Sequence, residues 1–290
     1  MQSVQIQLTT KCNERCFMCR KYTWEKKEIP YEVLFEKVNK YKEANFTFSG
    51  GDPLEYSELE ALTELLVKNN IRYQVFTNMN YDLTSAMEAF LQNAEIIQVS
   101  LDGSTEDAYN FVRRPIENGL MYVIRNIKRF SLKVKANCTV SNRNYFDVVN
   151  IYNLAKQLDI PIRFFPVHTH DSAAMNDDMF YSMMNHCQVF GGAIPIEITN
   201  LCDIYLNGRP KFNSCWVKTE HRLIDESGRE YPCCRAINDN GEDWDGKYSV
   251  ENLESIDDES VLYPFCKVCD RYVKFNTNKE EYKGKVGQYL

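Results

Sequence analysis

Three cysteines near the start of the chain stand close enough together to hold a metal cluster. Cys12, Cys16 and Cys19 form the spacing C-x3-C-x2-C directly after a strand-like run. Three thiolates on one short loop can ligate three irons of a [4Fe-4S] cube, which leaves the fourth iron open to a small molecule. That molecule can chelate the open iron and receive an electron from it. A zinc site is the alternative, but structural zinc usually takes four ligands and would need a distant fourth one.

Four further cysteines in the last third of the chain have the spacing of a second metal centre. Cys215 precedes a predicted hairpin, Cys233 follows it, and Cys266 and Cys269 form a C-x2-C turn. Four thiolates in this arrangement can fully ligate a second [4Fe-4S] cluster. Zinc ribbons use similar spacings and are the alternative. Cys234 is then a spare ligand, a bystander or a thiol hydrogen donor.

The composition favours a cytoplasmic protein whose cysteines serve metal or thiol chemistry. The net charge of -7 argues against a nucleic-acid backbone as the main partner. No apolar run approaches the roughly 18 residues of a membrane span, so we expect no membrane partner. Eleven cysteines without an export signal indicate metal binding rather than disulfides. Three of them, Cys138, Cys187 and Cys202, are predicted to be small buried residues.

The elements that must position these cysteines alternate along the first part of the chain. Strand-like runs cover residues 4–8, 46–48, 73–77, 96–101, 133–140 and 162–165. Amphipathic stretches cover residues 31–42, 57–68 with Ser57 as the N-cap, 82–93, 121–130 and 146–158. This α/β order implies parallel strands with right-handed crossovers, and it predicts a partial (β/α)6 barrel. In such barrels the reactive groups lie on loops after the carboxyl ends of the strands.

The alternation stops after Pro166, where a different organisation begins. Residues 177–190 are predicted to be helical, and the stretch RLIDESGREYPCC is predicted to be a β-hairpin with its turn at Ser227 and Gly228. We therefore predict two domains, a barrel over residues 1–205 and a small cysteine-rich module over residues 206–290.

The three-cysteine loop resembles that of the radical S-adenosylmethionine (SAM) superfamily, and further motifs match in the same order. Residues 49–53, Ser-Gly-Gly-Asp-Pro, resemble the family's GGEP motif, and Thr77-Asn78 stands where the family often has TNG. Residues 99–103 resemble the family's SLDG motif. The resemblance covers about residues 4–166. It implies that SAM binds the open iron and is cleaved reductively to a 5′-deoxyadenosyl radical, which abstracts a hydrogen atom.

The resemblance also implies which residues contact SAM. Gly50 and Gly51 let the backbone approach the SAM ammonium, and Ser100 bonds the ribose or the carboxylate. Arg113 pairs with the SAM carboxylate, and Asn137 is a weaker candidate for the same site. The predicted set is completed by Met18, where the family often has an aromatic residue, and by Asp52, Thr77 and Asn78.

The C-terminal cysteines resemble the auxiliary-cluster extensions called SPASM and twitch. No cysteine follows Cys269, so the shorter twitch version with one auxiliary [4Fe-4S] cluster fits better. Residues 248–253 resemble the connector of that module. In relatives that epimerise their substrates, a cysteine donates a hydrogen atom, and Cys234 is the candidate here.

The resemblance leaves three functions open. The first is oxidation, cross-linking or epimerisation of a peptide or protein; we expect no leader-binding domain ahead of the first strand, which weakens it. The second is the same chemistry on an aminocyclitol or sugar. The third is a zinc-binding adaptor without catalysis. An enzyme of this family also needs a reductant such as flavodoxin or ferredoxin.

Overall fold

The structure is a computed structural model that describes residues 3–19, 25–167, 173–191, 197–198, 221–232 and 250–252. Its strands are β1 (Ser3–Thr9), β2 (Asn45–Gly50), β3 (Tyr73–Thr77), β4 (Ile96–Ser100), β5 (Val134–Val140), β6 (Ile162–Pro166), β7 (His221–Ile224) and β8 (Glu230–Tyr231). Its helices are α1 (Tyr31–Lys40), α2 (Leu59–Lys68), α3 (Ser85–Asn93), α4 (Glu106–Arg113), α5 (Leu120–Arg129), α6 (Val148–Gln157) and α7 (Asp177–Gly191). None of the described helices combines the length and the apolar character that crossing a bilayer demands.

The described residues divide into two compact units: the first contains residues 3–11, 25–74 and those from 221 onward, and the second contains residues 12–19 and those from 75 to 198. In the first unit, β1 lies between β2 and β7 and runs parallel to both, and β8 is antiparallel to β7. In the second unit, β5 lies between β4 and β6 and runs parallel to both. The architecture is thus α/β with mostly parallel strands, as predicted, and it is consistent with a partial barrel.

The predicted strands and helices of the first part of the chain are confirmed, with two differences. Helix α4 was not predicted, although Thr105 is its N-cap, with Oγ1 accepting from the Ala108 N–H at 3.2 Å. Ser57 is not an N-cap, because α2 begins two residues later and the Ser57 N–H and hydroxyl both bind Glu28 at 2.9 Å.

Strand β5 shows how the sheet separates an apolar face from a polar one. Its even-numbered residues, which include Ala136 and Cys138, are fully buried, whereas Lys135, Asn137 and Thr139 are partly exposed. Successive side chains of a strand point to opposite faces, so the polar residues share one face. That polar face is the one on which the predicted ligand Asn137 lies.

The predicted hairpin is confirmed, and its turn follows from local chemistry. Asp225 Oδ1 accepts the N–H groups of Ser227 and Arg229, each at 2.9 Å, which closes the turn. Gly228 has a φ of 82°, and a Cβ there would lie 2.5 Å from Val33 Cγ1. The pairing of β7 with β1 was not predicted, because the sequence placed this hairpin in the C-terminal module.

A buried carboxylate on β8 ties the hairpin to α1. Glu230 binds Lys37 Nζ at 2.8 Å, Lys40 Nζ at 2.7 Å and the Tyr41 hydroxyl at 2.5 Å. Burial alone would raise the pKa of Glu230, but these hydrogen bonds outweigh it and hold the pKa at about 2. The ionised carboxylate therefore stabilises the first unit.

We expect Glu230→Gln to lower the stability at neutral pH by about 3 kcal/mol, since the depressed pKa reports that stabilisation. A depressed carboxyl pKa gives stability that is complete above the unfolded-state value and is lost as the pH falls through the folded-state value. The difference between wild type and variant should therefore be constant down to about pH 5 and shrink towards pH 2. Urea unfolding as a function of pH measures it.

Glu226→Gln is the matched control, because it removes the same charge from the turn of the same hairpin. A difference for Glu230→Gln that stayed unchanged at low pH would show that packing, rather than the ion pairs, accounts for the loss.

Candidate iron–sulfur and SAM site

The loop that carries Cys12, Cys16 and Cys19 follows β1 and is held by a backbone ladder in the second unit. Residues 13–17 run antiparallel to residues 112–116, which begin in the last turn of α4. Three N–H···O bonds of 2.9 to 3.1 Å join the two segments. A further bond, from the Cys19 N–H to the Cys16 carbonyl at 3.0 Å, tightens the end of the loop. Backbone hydrogen bonds within the second unit therefore order the loop.

The sulfur atoms of the loop have different surroundings. Cys12 Sγ accepts the Glu14 N–H at 3.4 Å and Asn78 Nδ2 at 3.7 Å. Cys16 is buried, and its Sγ lies 3.7 Å from Glu14 Oε2. Burial raises the pKa of Cys16 well above its ordinary value, and the charge of Arg113 opposes this rise. Iron binding would replace that proton, because a coordinated thiol is deprotonated.

The arrangement of the three cysteines is compatible with a [4Fe-4S] cluster. Within the described part of the chain, no group of three or more His, Cys, Asp and Glu side chains converges on one metal position. Each thiolate of a [4Fe-4S] cube binds a different iron, so such a cluster does not require that the sulfurs meet at one point. The N–H groups directed at Cys12 are the kind of bond that iron-bound sulfur receives.

Glu14 is a functional candidate that the sequence analysis missed. Its side chain is fully buried and accepts the Tyr109 hydroxyl at 2.5 Å, Arg113 Nε at 2.7 Å and Arg113 Nη2 at 2.6 Å. Asn80 Nδ2 adds a longer contact of 3.4 Å. A glutamate between two cysteines has no sequence pattern that distinguishes it from an ordinary solvated loop residue.

Arg113 joins the cysteine loop to the end of β4. Its Nη1 binds Asp102 Oδ2 at 2.9 Å, and Asp102 Oδ1 also accepts the Thr139 N–H at 2.6 Å. Burial alone would lower the pKa of Arg113, but the acidic groups beside it raise the pKa well above its ordinary value. The guanidinium thus stays charged between two buried carboxylates. Its predicted pairing with the SAM carboxylate stays a prediction.

The residues that follow β3 also form hydrogen bonds to the cysteine loop. Asn78 Nδ2 donates to Asn13 Oδ1 at 2.7 Å, and Asn13 Nδ2 donates to the Asn80 carbonyl at 2.6 Å. Thr77 Oγ1 accepts the Met79 N–H at 3.1 Å and shapes the turn after the strand. The structure brings Asn78 together with Cys12, as their predicted common site requires, while Asn13 and Asn80 were not predicted.

Ser100 and Asn137 lie side by side on β4 and β5, where they are partners in the parallel register. Asn137 Nδ2 donates to Gln98 Oε1 at 2.8 Å. Asn137 Oδ1 is buried and has no hydrogen-bond partner among the described residues. A buried acceptor of this kind is usually paired in a complete structure, so a bound molecule with a donor group fits here.

The predicted glycine motif lies in the first unit, at the end of β2. The Gly51 N–H binds the Thr9 carbonyl at 2.6 Å, and the Asp52 N–H binds the Lys11 carbonyl at 2.7 Å. A Cβ on Gly51 would lie 2.1 Å from the Lys11 oxygen, so the motif needs glycine for this close approach. Asp52 is buried and caps the next turn, with Oδ1 accepting the Leu54 N–H at 3.0 Å. Contact of these residues with SAM stays a prediction.

The other predicted site residues have mixed outcomes. Met18 is partly exposed on the cysteine loop. Cys138 and Cys187 are fully buried, as predicted. The remaining cysteines, Cys202, Cys215, Cys233, Cys234, Cys266 and Cys269, lie outside the described residues.

The described chain has an α/β fold with a three-cysteine loop directly after its first strand. The family model of the radical SAM superfamily matches residues 6–155, just over half of the chain. The chain belongs to the radical SAM superfamily. It is therefore an enzyme of the kind that uses a [4Fe-4S] cluster and SAM. The alternative of a non-catalytic zinc adaptor has no support from this membership.

The chain is similar to a curated enzyme and to several solved structures. The GTP 3′,8-cyclase of Nautilia profundicola is 25% identical over 178 residues, which cover 56% of this chain and 54% of the cyclase. The chain thus spans about half of the length of that relative. Streptococcus suis SuiB bound to its precursor peptide SuiA has a TM-score of 0.61 at 13% identity, covering 93% of this chain and 71% of SuiB.

A second structure, anSMEcpe with bound AdoMet and the Cp18Cys peptide, has a TM-score of 0.63 at 18% identity. The match covers 92% of this chain and 85% of anSMEcpe. At such identities the likeness to both structures shows the fold alone.

Proposed function

We propose that the enzyme cleaves SAM with the aid of a cluster held by Cys12, Cys16 and Cys19 and modifies a peptide or protein. When bound, the cluster supplies one electron to SAM, which yields methionine and a 5′-deoxyadenosyl radical that removes a hydrogen atom from the substrate. The observation that carries the proposal is the pair of N–H groups directed at Cys12 Sγ. Donors to a sulfur stabilise its thiolate form, which is the form that binds iron.

The proposed SAM contacts come from loops after successive strands. They are Met18, Gly50, Gly51, Asp52, Thr77, Asn78, Ser100 and Asn137. The unpartnered buried oxygen of Asn137 supports this set, because an amino or hydroxyl group of SAM would satisfy it. Arg113 is proposed to act mainly through Glu14: it neutralises that buried carboxylate and so positions the cysteine loop.

We propose that residues 206–290 form a twitch-like module whose auxiliary [4Fe-4S] cluster is ligated by Cys215, Cys233, Cys266 and Cys269. The hairpin ends just before Cys233, as the predicted layout requires, although its first strand pairs with β1. A fully ligated cluster offers no open iron to SAM, so it would accept the electron that a substrate radical sheds on oxidation. If the enzyme epimerises its substrate instead, Cys234 is the proposed hydrogen donor.

The peptide substrate is proposed because SuiB and anSMEcpe, two proteins with this fold, were solved with bound peptides. A specific observation also favours a second candidate, the same chemistry on a small molecule. The curated relative that matches this chain is a cyclase named for the nucleotide GTP. An aminocyclitol or a sugar belongs to the same small-molecule class.

The substrate class can be tested with purified, anaerobically reconstituted enzyme, SAM and a reductant. The probes are any short peptide that is encoded beside the gene and, in parallel, a panel of sugars and nucleotides. We expect the peptide to stimulate 5′-deoxyadenosine formation and to lose hydrogen on mass spectrometry, or to take up deuterium from heavy water if it is epimerised. Stimulation by sugars or nucleotides, with the peptide unchanged, would favour the second candidate.

Replacing Cys266 and Cys269 by Ala should abolish the product while leaving 5′-deoxyadenosine formation largely intact. The reason is that the proposed auxiliary cluster serves the substrate radical and not SAM. The iron content should fall by about half, because one of two four-iron clusters is lost.

Small modules depend on their metal for folding, so the fold of the variant must be checked. The controls are circular dichroism and the electron paramagnetic resonance signal of the remaining cluster. Normal product from a folded double variant would show that the second cluster is only structural. Loss of product on changing Cys234 alone, with both clusters present, would favour epimerisation.

A further inference from the structure

A basic and partly apolar surface covers the outer side of the cysteine loop. We call it the arginine patch; its members are Arg15, Phe17, Phe111, Arg114, Ile116 and Arg143. The ladder between residues 13–17 and 112–116 creates it, because alternate side chains of an extended segment face opposite ways. Glu14 and Cys16 are buried on the inner side, whereas Arg15 is exposed on the outer side.

Arg143 is held in place at the centre of the patch. Its guanidinium lies 4.3 Å from the ring centre of Phe17 and 4.7 Å from that of Phe111. Its Nη1 also donates to the Phe111 carbonyl at 3.1 Å. Two aromatic faces orient this cation without neutralising it. The patch therefore presents a fixed positive charge beside Phe17, which is bonded directly to the predicted iron ligand Cys16.

A second arginine strengthens the positive charge of the patch. Arg114 is exposed at the end of α4, and the Arg15 N–H binds its carbonyl at 3.1 Å. Burial lowers the pKa of Arg143, and the nearby charge of Arg114 lowers it further. Two like charges at close range repel each other, and an acidic partner would relieve that repulsion.

The patch also exposes apolar area. Phe111 is 52% exposed and Ile116 is 53% exposed, on either side of Arg114 in the sequence. Exposed aromatic and arginine side chains are the types that protein interfaces favour. The net charge of the whole chain is -7, whereas this surface carries three arginines, Arg15, Arg114 and Arg143.

We infer that the arginine patch is the docking surface for an acidic one-electron carrier protein of the flavodoxin or ferredoxin type. The inference rests on the proposed function, because SAM cleavage needs an electron from outside. The reduced carrier would give one electron to the oxidised cluster and leave in its oxidised form, with no group transferred. Phe17, a member of the patch, follows Cys16 directly in the sequence, so a carrier seated on the patch would contact the cysteine loop. Encounters of this kind bury small areas and are guided by charge.

The test compares three holoenzymes: wild type, Arg114→Glu/Arg143→Glu, and the matched control Lys68→Glu/Lys128→Glu. The control makes the same change of charge at exposed positions on α2 and α5. Arg114 already holds a left-handed conformation, with a φ of 49°, so a glutamate there adds no new backbone strain. Each holoenzyme is titrated with an acidic flavodoxin at several salt concentrations. SAM cleavage is driven in parallel by reduced flavodoxin or by dithionite.

We expect the patch variant to bind flavodoxin about tenfold more weakly or worse at low ionic strength, with the difference shrinking as salt is added. The rate of its flavodoxin-driven SAM cleavage should fall by a similar factor, while the rate of dithionite-driven cleavage stays near that of the wild type. The control should change little.

Unchanged flavodoxin affinity in the patch variant, or an equal loss in the control, would overturn the inference. The inference would also be overturned if the patch variant still bound flavodoxin but no longer bound an acidic peptide. The same holds if it still bound flavodoxin but no longer self-associated. Absence of dithionite-driven cleavage in the wild type would contradict the proposed function. Normal dithionite-driven cleavage without flavodoxin binding would contradict only the docking surface.

Discussion

Replacing Cys12, Cys16 and Cys19 together by alanine should abolish SAM cleavage and remove about half of the bound iron. The wild-type enzyme is expected to carry about eight irons per chain in two four-iron clusters. The triple variant would lose one cluster because no thiolate would remain on the loop. Iron analysis and chromatography of 5′-deoxyadenosine measure the two effects. Cys16→Ala alone should already stop the reaction.

Cys187→Ala is the matched control for this loss. It removes a buried cysteine, as Cys16→Ala does, but from α7 rather than from the loop. It should keep both the iron and the cleavage. An unchanged iron count in the triple variant, full cleavage by Cys16→Ala, or zinc in place of iron would show that the radical cluster is assigned to the wrong residues.

Arg113→Met should destabilise the apo protein by about 3–5 kcal/mol, since it leaves buried carboxylates without a counter-charge. The side chains of Glu14 and Asp102 are 0% and 1% exposed, and both bind this one guanidinium. Urea unfolding of the apo protein measures the loss. The cysteine loop should loosen as well, so that reconstituted iron falls in proportion.

Arg125→Met is the control, because it breaks an exposed ion pair with Asp82 and should cost only about 0–1 kcal/mol. Adding Glu14→Gln to Arg113→Met should restore part of the stability, since it removes one of the stranded charges. Unchanged stability of the apo protein, with a loss only of the affinity for SAM, would contradict this role of Arg113 and favour the pairing with the SAM carboxylate that the family resemblance implies.

Local patterns were enough to predict the elements that carry the site. Apolar alternation marked the strands, and helical periodicity marked most of the helices between them. The spacing of Cys12, Cys16 and Cys19 predicted a metal-binding loop, and the Ser227-Gly228 turn correctly predicted the hairpin. These features depend on residues within one turn or one loop of each other, so a single sequence displays them. Helix α4 was not predicted because it is short, although Thr105 marks its start as the N-cap.

Tertiary structure alone decided what holds the cysteine loop. Glu14 meets Arg113 across 99 positions of the chain, and Asn13 meets Asn78 across 65. The same is true of β7, whose parallel pairing with β1 joins the two ends of the described chain. The side-chain pattern of a segment records which face is buried, but not which distant segment buries it. A buried charge must find its partner in the folded chain, and for this reason the Glu14–Arg113–Asp102 network became visible only in three dimensions.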